Sequence, residues 1–385
     1  MRFPEFSGEW EMASLQDIAA INPKSDQLQN TFIYIDLEAV EKGELRKIQE
    51  IRREEAPSRA QRVINNNDIL FQCVRPYQKN NYIHKILNTS NQQWVASTGY
   101  AQIRTTESPN YIYHLLNTDG FNRKVMVRCT GSSYPAINSE DLATIRFYYT
   151  PDKKEQFKIS RLLDLIDERI ATQNKIIEKL QSLIKGLVDE LMTVLLKGKL
   201  YPFSSFYIKA GEGGTPTTSV VEYYTEGTIP FIKIEDLSCK YLTNNKDFIT
   251  ELGMQKSSAW LIPSKSVIYS NGATIGAISI NEYPVCTKQG ILGIVPNTNI
   301  NVAYLYLLMS SSYFSKEISR IITEGTMKTA YLKDINHIKC PLPSMAQQKN
   351  ITNLTSSIEE KLSIEQELLR FLNLQKQYLL HMMFI

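Results

Sequence analysis

The hydrophobic residues of this chain follow one rhythm twice, at a constant offset of 192 positions. In the first copy, Ile159, Leu163, Ile166, Ile170, Gln173, Ile177, Leu180, Ile184, Leu187 and Leu191 step by alternating fours and threes. Their counterparts are Ile351, Thr355, Ile358, Leu362, Glu365, Leu369, Leu372, Lys376, Leu379 and Met383. Such stepping is the heptad seam of a coiled coil. Even the polar interruption falls at the same step, Gln173 in one copy and Glu365 in the other. A helix from Lys154 to Lys197 is about 65 Å long at 1.5 Å per residue. Pro151 and Pro343 suit a helix's first turn, and Gly198 suits its end. Two arrangements satisfy the pattern. Each helix can pack on its own domain, or the two can pair; a narrow stripe held for so many turns favours pairing. Antiparallel pairing would relate the two halves by a pseudo-twofold axis.

The segments before the helices also repeat. In the first half a short amphipathic stretch, Leu15 to Ile21, precedes strand-like runs at 32–37, 68–74 and 95–104, helical patterns at 111–116 and 121–128, and a last strand at 145–149. The second half has strand-like runs at 229–237, 266–270 and 290–295, a hairpin-like turn from Asn271 to Gly276, helical patterns at 302–309 and 315–322, and a last strand near Ile338. Asp141-Leu142 with Ile145 matches Asp334-Ile335 with Ile338, and Glu155-Gln156 matches Gln347-Gln348. The chain therefore reads as α+β: two similar mixed α/β domains separated by two long helices forming an antiparallel coiled coil, a pseudo-twofold internal repeat. The expected boundaries are 1–152, 153–197, 198–342 and 343–385.

A length of 385 residues fits two domains, and 43% hydrophobic with 22% charged residues describes an ordinary globular composition. Net charge is only +3, but basic residues outnumber acidic ones ten to five over 57–146 and eight to four over 256–339. That distribution suits an anionic partner in each half. The five cysteines are scattered without a CxxC pair, which argues for a reducing compartment and against a disulfide framework or a zinc site. No run of 18 apolar residues occurs, and the polar, acidic N-terminus does not read as a signal peptide. A cytoplasmic protein with no membrane partner is expected.

Catalytic signatures are missing. Gly211-Glu212-Gly213-Gly214-Thr215-Pro216 is glycine-rich but has no phosphate-binding lysine, and reads as a turn before a strand. Neither GxSxG nor HExxH is present, and the four histidines lack metal-ligand spacing. Asp68, Asp141 and Asp334 lie beside apolar strand residues, where turn or capping roles suit them. Recognition remains. Arg75-Pro76-Tyr77-Gln78-Lys79-Asn80-Asn81-Tyr82 mixes cations, amides and aromatics, and 270–274 and 326–331 do the same in the second half. Arginine and lysine suit phosphates and guanine edges, and amides suit adenine. Each loop could equally be a solvated surface. Its recurrence in both halves favours recognition.

At this point the sequence resembles the specificity subunit of type I restriction-modification systems, along nearly its whole length. Gly8-Glu9-Trp10 with Leu15 and Ile18 resembles the opening of a target recognition domain. Gly213-Gly214-Thr215-Pro216, then Ile229-Pro230-Phe231-Ile232 and Asp236-Leu237, resembles the start of a second. Gly272-Ala273-Thr274-Ile275-Gly276 resembles a recurrent hairpin, and Pro341-Leu342-Pro343 with Gln347-Gln348 a strand-to-helix junction. The first domain departs from the pattern, with Ala20-Ile21-Asn22-Pro23-Lys24 in place of the Gly-Gly-Thr-Pro element. The resemblance implies a non-catalytic subunit whose two domains each read half of a bipartite double-stranded DNA site, spaced by the helices. It implies two modification subunits as partners, bringing S-adenosylmethionine, and restriction subunits using ATP and Mg, with no cofactor held by this chain. Candidate DNA-binding residues are Arg75, Lys79, Asn80, Asn271, Thr274, Lys288, Lys328 and Lys333. Leu162, Leu165, Ile176, Leu183 and Val188 lie off the seam and form a second apolar face. The competing readings are a coiled-coil protein-interaction adaptor without DNA readout, and an enzyme with a cryptic site, which lacks cofactor motifs.

Overall fold

The computed structural model describes residues 2–85, 92–272, 274–322 and 328–384. The chain divides into two compact units, Met1–Asn174 with Glu367–Ile385, and Lys175–Gln366. Two long helices, Lys153–Leu195 and Met345–Met383, each contribute one end to either unit.

The first unit holds two four-stranded sheets. One is ordered Gln49–Arg52, Thr31–Ile35, Gln93–Ser97, Ala60–Ile64; the other Ala19–Ile21, Tyr100–Thr105, Ile69–Gln72, Tyr82–Ile83. The apolar run expected at 95–104 is thus two strands, broken at Thr98-Gly99 and shared between different sheets. The stretch at 15–21 likewise splits, into a helical turn Leu15–Ile18 and a strand Ala19–Ile21.

The second unit repeats this plan with a five-stranded sheet, Tyr207–Glu212, Ile291–Pro296, Val267–Ser270, Ile278–Asn281, Tyr241–Leu242, and a three-stranded one, Asp247–Ile249, Ile229–Ile232, Cys286–Thr287. Both units have a parallel pair at the equivalent place, Thr31–Ile35 beside Gln93–Ser97 and Ile229–Ile232 beside Cys286–Thr287, and the second unit adds another, Tyr241–Leu242 beside Ile278–Asn281. A two-stranded antiparallel ribbon closes each, Glu11–Ser14 with Arg146–Tyr149 and Leu200–Pro202 with Lys339–Pro341. The run expected at 229–237 is a strand only to Ile232, after which Ile234–Asp236 turns as a 3-10 helix. Gly211 and Glu212 end a strand rather than precede one, because Gly213 must then pass against Thr287.

The repeated Gln is what ties each domain to its helix. Gln156 is fully buried: its Oε1 accepts the Ser108 N–H (3.0 Å), and its Nε2 donates to the Thr150 carbonyl (2.8 Å) and Glu107 Oε2 (2.6 Å). Gln348, also fully buried, accepts from Asn301 N–H (2.7 Å) and donates to the carbonyls of Asn299 (3.0 Å) and Pro343 (2.9 Å). Ser108 and Asn301 are the N-caps of Pro109–Leu116 and Val302–Ser310. One amide therefore joins a long helix, a strand end and a helix N-terminus, leaving none of its buried polar atoms unpaired. The residue before it differs. Glu155 is buried in a fork with Arg2 (2.6 and 2.7 Å) and accepts from Thr150 Oγ1, whereas Gln347 closes a capping box with Ser344. Pro151 and Pro343 stand outside the helices, one residue before Asp152 and Ser344, whose side-chain oxygens take the first free N–H groups.

In the first unit Phe71, Ile103, Leu115 and Leu142 pack with Ile159 and Leu163 of the first long helix and Leu380 and Met383 of the second. Asp167 meets Lys376 at 2.5 Å. The start of one helix thus shares a core with the end of the other, so the segments run antiparallel there. In the second unit Tyr269, Leu292, Leu305 and Ile335 pack with Val188, Met192 and Ile351. Along the seam, Ile159, Leu163, Ile166, Ile177, Ile351, Leu372 and Met383 are buried. Ile170, Leu180, Ile184, Leu187, Leu191, Ile358, Leu362, Leu369 and Leu379 are partly so. Off the seam, Val188 is buried but Leu165, Ile176 and Leu183 are exposed.

Candidate nucleic-acid interface

In the first unit the chain leaves strand Ile69–Gln72 and enters a loop held in an uncommon backbone shape. Arg75 (φ 54°, ψ 54°) and Lys79 (φ 52°, ψ 35°) are both left-handed and bracket a 3-10 turn, Pro76–Gln78. For non-glycine residues this costs on the order of 1–3 kcal/mol each, and surrounding bonds must hold it. They do. The Arg75 N–H reaches the Pro135 carbonyl (2.7 Å), Asn122 Nδ2 reaches the Pro76 carbonyl (3.3 Å), and Lys79 Nζ reaches Asp119 Oδ1 (2.6 Å) and the Asn117 carbonyl (3.2 Å). The lysine bond holds the Asp119 carboxyl below its usual range. Lys79 is thereby engaged in fixing the loop, while the Arg75 guanidinium lies over the Tyr134 ring, 4.5 Å from its centre. Asn80 Oδ1 accepts the Lys42 N–H (3.0 Å). Arg75 and Asn80, together with Gln72 and Gln78, line a cavity of about 480 Å³. Gln72 and Gln78 were not singled out from sequence; Gln78 lies in the quoted loop, but only the fold shows what it bonds.

Just before the same strand, Ile69–Gln72, Asp68 is buried, in a two-bond fork with Arg104 (2.8 and 2.8 Å) and a bond from Gln102 Nε2 (2.7 Å). Its role is structural. His84 is buried beside Trp94, ring centres 4.9 Å apart, and burial pushes its pKa down to about 4.

In the second unit five segments converge through hydrogen bonds, most of them given by backbone N–H groups. Asn271 and Gly272 N–H groups both reach the Gly290 carbonyl (3.0 and 3.2 Å), and Gly290, at φ +84°, donates to Glu212 Oε1 (2.7 Å). The Gln289 N–H meets Thr215 Oγ1 (3.3 Å) and the Lys288 N–H the Ile232 carbonyl (3.0 Å). Ala330 N–H donates to the Asn271 carbonyl (2.9 Å), and Asn271 Nδ2 to the Ala330 carbonyl (3.2 Å). The Gly-Gly-Thr-Pro element is needed for this approach, since a Cβ at Gly213 would sit 2.1 Å from the Thr287 carbonyl oxygen.

Of the residues singled out here, Asn271 is wholly buried and its side chain joins the loops to one another. Thr274, Lys288 and Lys328 are exposed around it. Lys333 is exposed on the helical turn Leu332–Ile335, its Nζ 5.5 Å from the Tyr331 ring centre. Ala273 of the expected hairpin and Glu324, Gly325, Thr326 and Met327 of the following loop lie outside the described residues. Among the described residues no group of three or more His, Cys, Asp or Glu side chains could hold a metal ion, and no helix is long and apolar enough to cross a membrane.

Two mixed α/β units, each ending in loops that carry cations and amides and each bonded to a long helix, form an architecture for presenting two related surfaces. A family model describing the type I restriction modification DNA specificity domain matches residues 7–182 and 206–373. The chain belongs to that family. It is 30% identical over 179 residues to the EcoR124I/EcoR124II specificity subunit of Escherichia coli, covering 43% of this chain and 43% of that one. To the MjaIX specificity subunit of Methanocaldococcus jannaschii it is 30% identical, covering 38% of this chain and 35% of that one. The chain thus spans less than half the length of these two relatives. With the HindI specificity subunit of Haemophilus influenzae, 21% identity extends over 83% of both chains. Among solved structures, the type I restriction-modification S subunit of M. genitalium has the same fold, with a TM-score of 0.57 at 17% identity, covering 98% of this chain and 96% of that one. A chain from a study of complex assembly in a type I R-M system also scores 0.57, at 20% identity and 97% coverage of both.

Proposed function

We propose that this chain is the sequence-specific DNA-binding subunit of a type I restriction-modification complex and reads a bipartite duplex, one half-site per unit. The observation that carries the reading is the duplicated unit, bonded to its helix by the same buried glutamine and differing between copies in its loops. Similar scaffolds with unequal loops suit two different half-sites. In this reading the chain supplies no chemistry. Modification subunits carry S-adenosylmethionine and methylate adenine at N6, and restriction subunits carry ATP and Mg and cleave. Leu354, Ile364, Phe371, Leu374 and Tyr378 on the second long helix are exposed, which supports protein docking along it. Residence in the cytoplasm, where the partners and DNA are, follows from the same proposal.

The test is to map N6-methyladenine genome-wide after co-expressing the chain with a modification subunit. A bipartite motif with a fixed gap, lost when the chain is omitted, is expected. The exposed helix residues also favour a second reading, a protein-binding adaptor without DNA readout. A partner-bound complex that methylates nothing, and whose DNA affinity is insensitive to salt, would favour the adaptor, because phosphate contacts make affinity fall steeply with ionic strength.

A further inference from the structure

We infer that the loop from Gln72 to Asn81 reads the major-groove edge of a G·C pair, with Arg75, Gln78 and Asn80 donating to the guanine. This deepens the DNA reading above and rests on it. The argument is one of hydrogen-bond polarity. The backbone N–H of Asn80 can only donate, so the Gln72 atom it meets at 3.2 Å is Oε1. Gln72 Nε2 then faces Gln78 at 3.0 Å, and its partner there is Oε1. The Gln78 amide is therefore turned with its NH2 away from Gln72. The Lys42 N–H fixes Asn80 in the same way, taking Oδ1 at 3.0 Å and leaving Nδ2 to donate.

Arg75 adds five N–H groups, and among the described residues none accepts a hydrogen bond from its side chain. The three donors line one cavity with Gln72, which is only 2% exposed, and their loop is locked at both left-handed residues. A reading surface is thereby preorganised. Donors alone would serve a phosphate as well as a base. The same cavity, however, is lined by Glu38, Glu41 and Arg46; Arg46 lies 3.6 Å from the Glu41 carboxylate, so it is the Glu38 carboxylate that is left to repel phosphate and to accept from an amino group. Guanine presents the acceptors N7 and O6, and the paired cytosine presents its N4 amino group beside them. Adenine mixes donor with acceptor on one base, and thymine adds a methyl. The G·C edge is the one whose polarity the cavity complements.

The discriminating variant is Gln78→Glu. It keeps an oxygen for Gln72 Nε2 and replaces the outward NH2 with an acceptor. In the full chain co-expressed with a modification subunit, the wild type should give a motif with an invariant G·C pair in one half-site. Gln78→Glu should cut methylation of such sites by roughly tenfold to a hundredfold and relax that position, with the other half-site unchanged. Arg75→Ala, which removes a side chain that stacks on Tyr134 but donates no hydrogen bond within the described residues, should do the same, and a melting curve within a degree or two of wild type checks the fold of both. An unchanged motif at an unchanged rate overturns the inference. So does a uniform loss over all sequences with a shallower salt dependence, which marks a phosphate contact. Should the wild type produce no chain-dependent motif at all, the DNA reading itself fails and carries this inference with it.

Discussion

Replacing Gln348 by leucine removes three buried hydrogen bonds and nothing else of comparable size. The Asn301 N–H and the carbonyls of Asn299 and Pro343, at 2.7, 3.0 and 2.9 Å, lose their partner together. Each such bond contributes a net of about 1 kcal/mol, and a buried donor left unpaired costs about 1–3 kcal/mol. The leucine offsets roughly 1 kcal/mol by burying apolar surface. The expected loss is about 2–4 kcal/mol, or some 4–16 °C of melting temperature for a unit of this size. Calorimetry and urea unfolding of the full chain would read it, with Gln156→Leu giving a matching loss through the first unit. Gln348→Glu separates the possible causes. Its carboxylate can still accept from Asn301 N–H but faces two carbonyl oxygens that need a donor, so it should be at least as harmful as leucine. If Gln348→Glu is as stable as wild type, or Gln348→Leu costs under about 0.5 kcal/mol, the tie proposed between helix and domain is refuted.

Gly213→Ala forces a Cβ to within 2.1 Å of the Thr287 carbonyl oxygen, so backbone must move; a loss of about 2–3 kcal/mol is expected, and near-neutral stability by urea unfolding would contradict the close approach. His84 takes up a proton near pH 6.5 when unfolded but only near 4 when folded, because burial disfavours its charged form. Its contribution is therefore intact above pH 6.5 and is lost as pH falls toward 4, by about 3 kcal/mol; His84→Phe should flatten the stability profile over that window, and parallel profiles would disprove the assignment. Lys288→Ala and Lys328→Ala, both at exposed positions of the second unit, should each weaken DNA binding evenly across sequences and reduce the salt slope by about one if they meet phosphates. A change at one motif position instead would make either lysine a base reader.

The duplication, the two long helices and their inward stripe were legible in the sequence because each rests on a period of the chain itself. Ile159, Leu163, Ile166 and Ile177 are buried along the stripe, and the repeated Leu142 and Ile335 are both wholly buried. The matched Gln156 and Gln348 were visible as letters, but their work was not. What they bond, the N-caps Ser108 and Asn301 and the residues after the last strands, Thr150 and Pro343, lies between 5 and 48 residues away. The same holds for the loops. Composition marks Arg75, Lys79, Asn80 and Asn271 as one class of polar loop residue. Tertiary bonds divide them: Lys79 to Asp119 and Asn271 to Ala330 hold backbone, while Arg75 keeps its donors. Local periodicity fixes which face of a helix is apolar, because side-chain direction repeats every 3.6 residues. Whether a polar group is available to a ligand depends on partners brought in from distant chain, and only the folded structure supplies those.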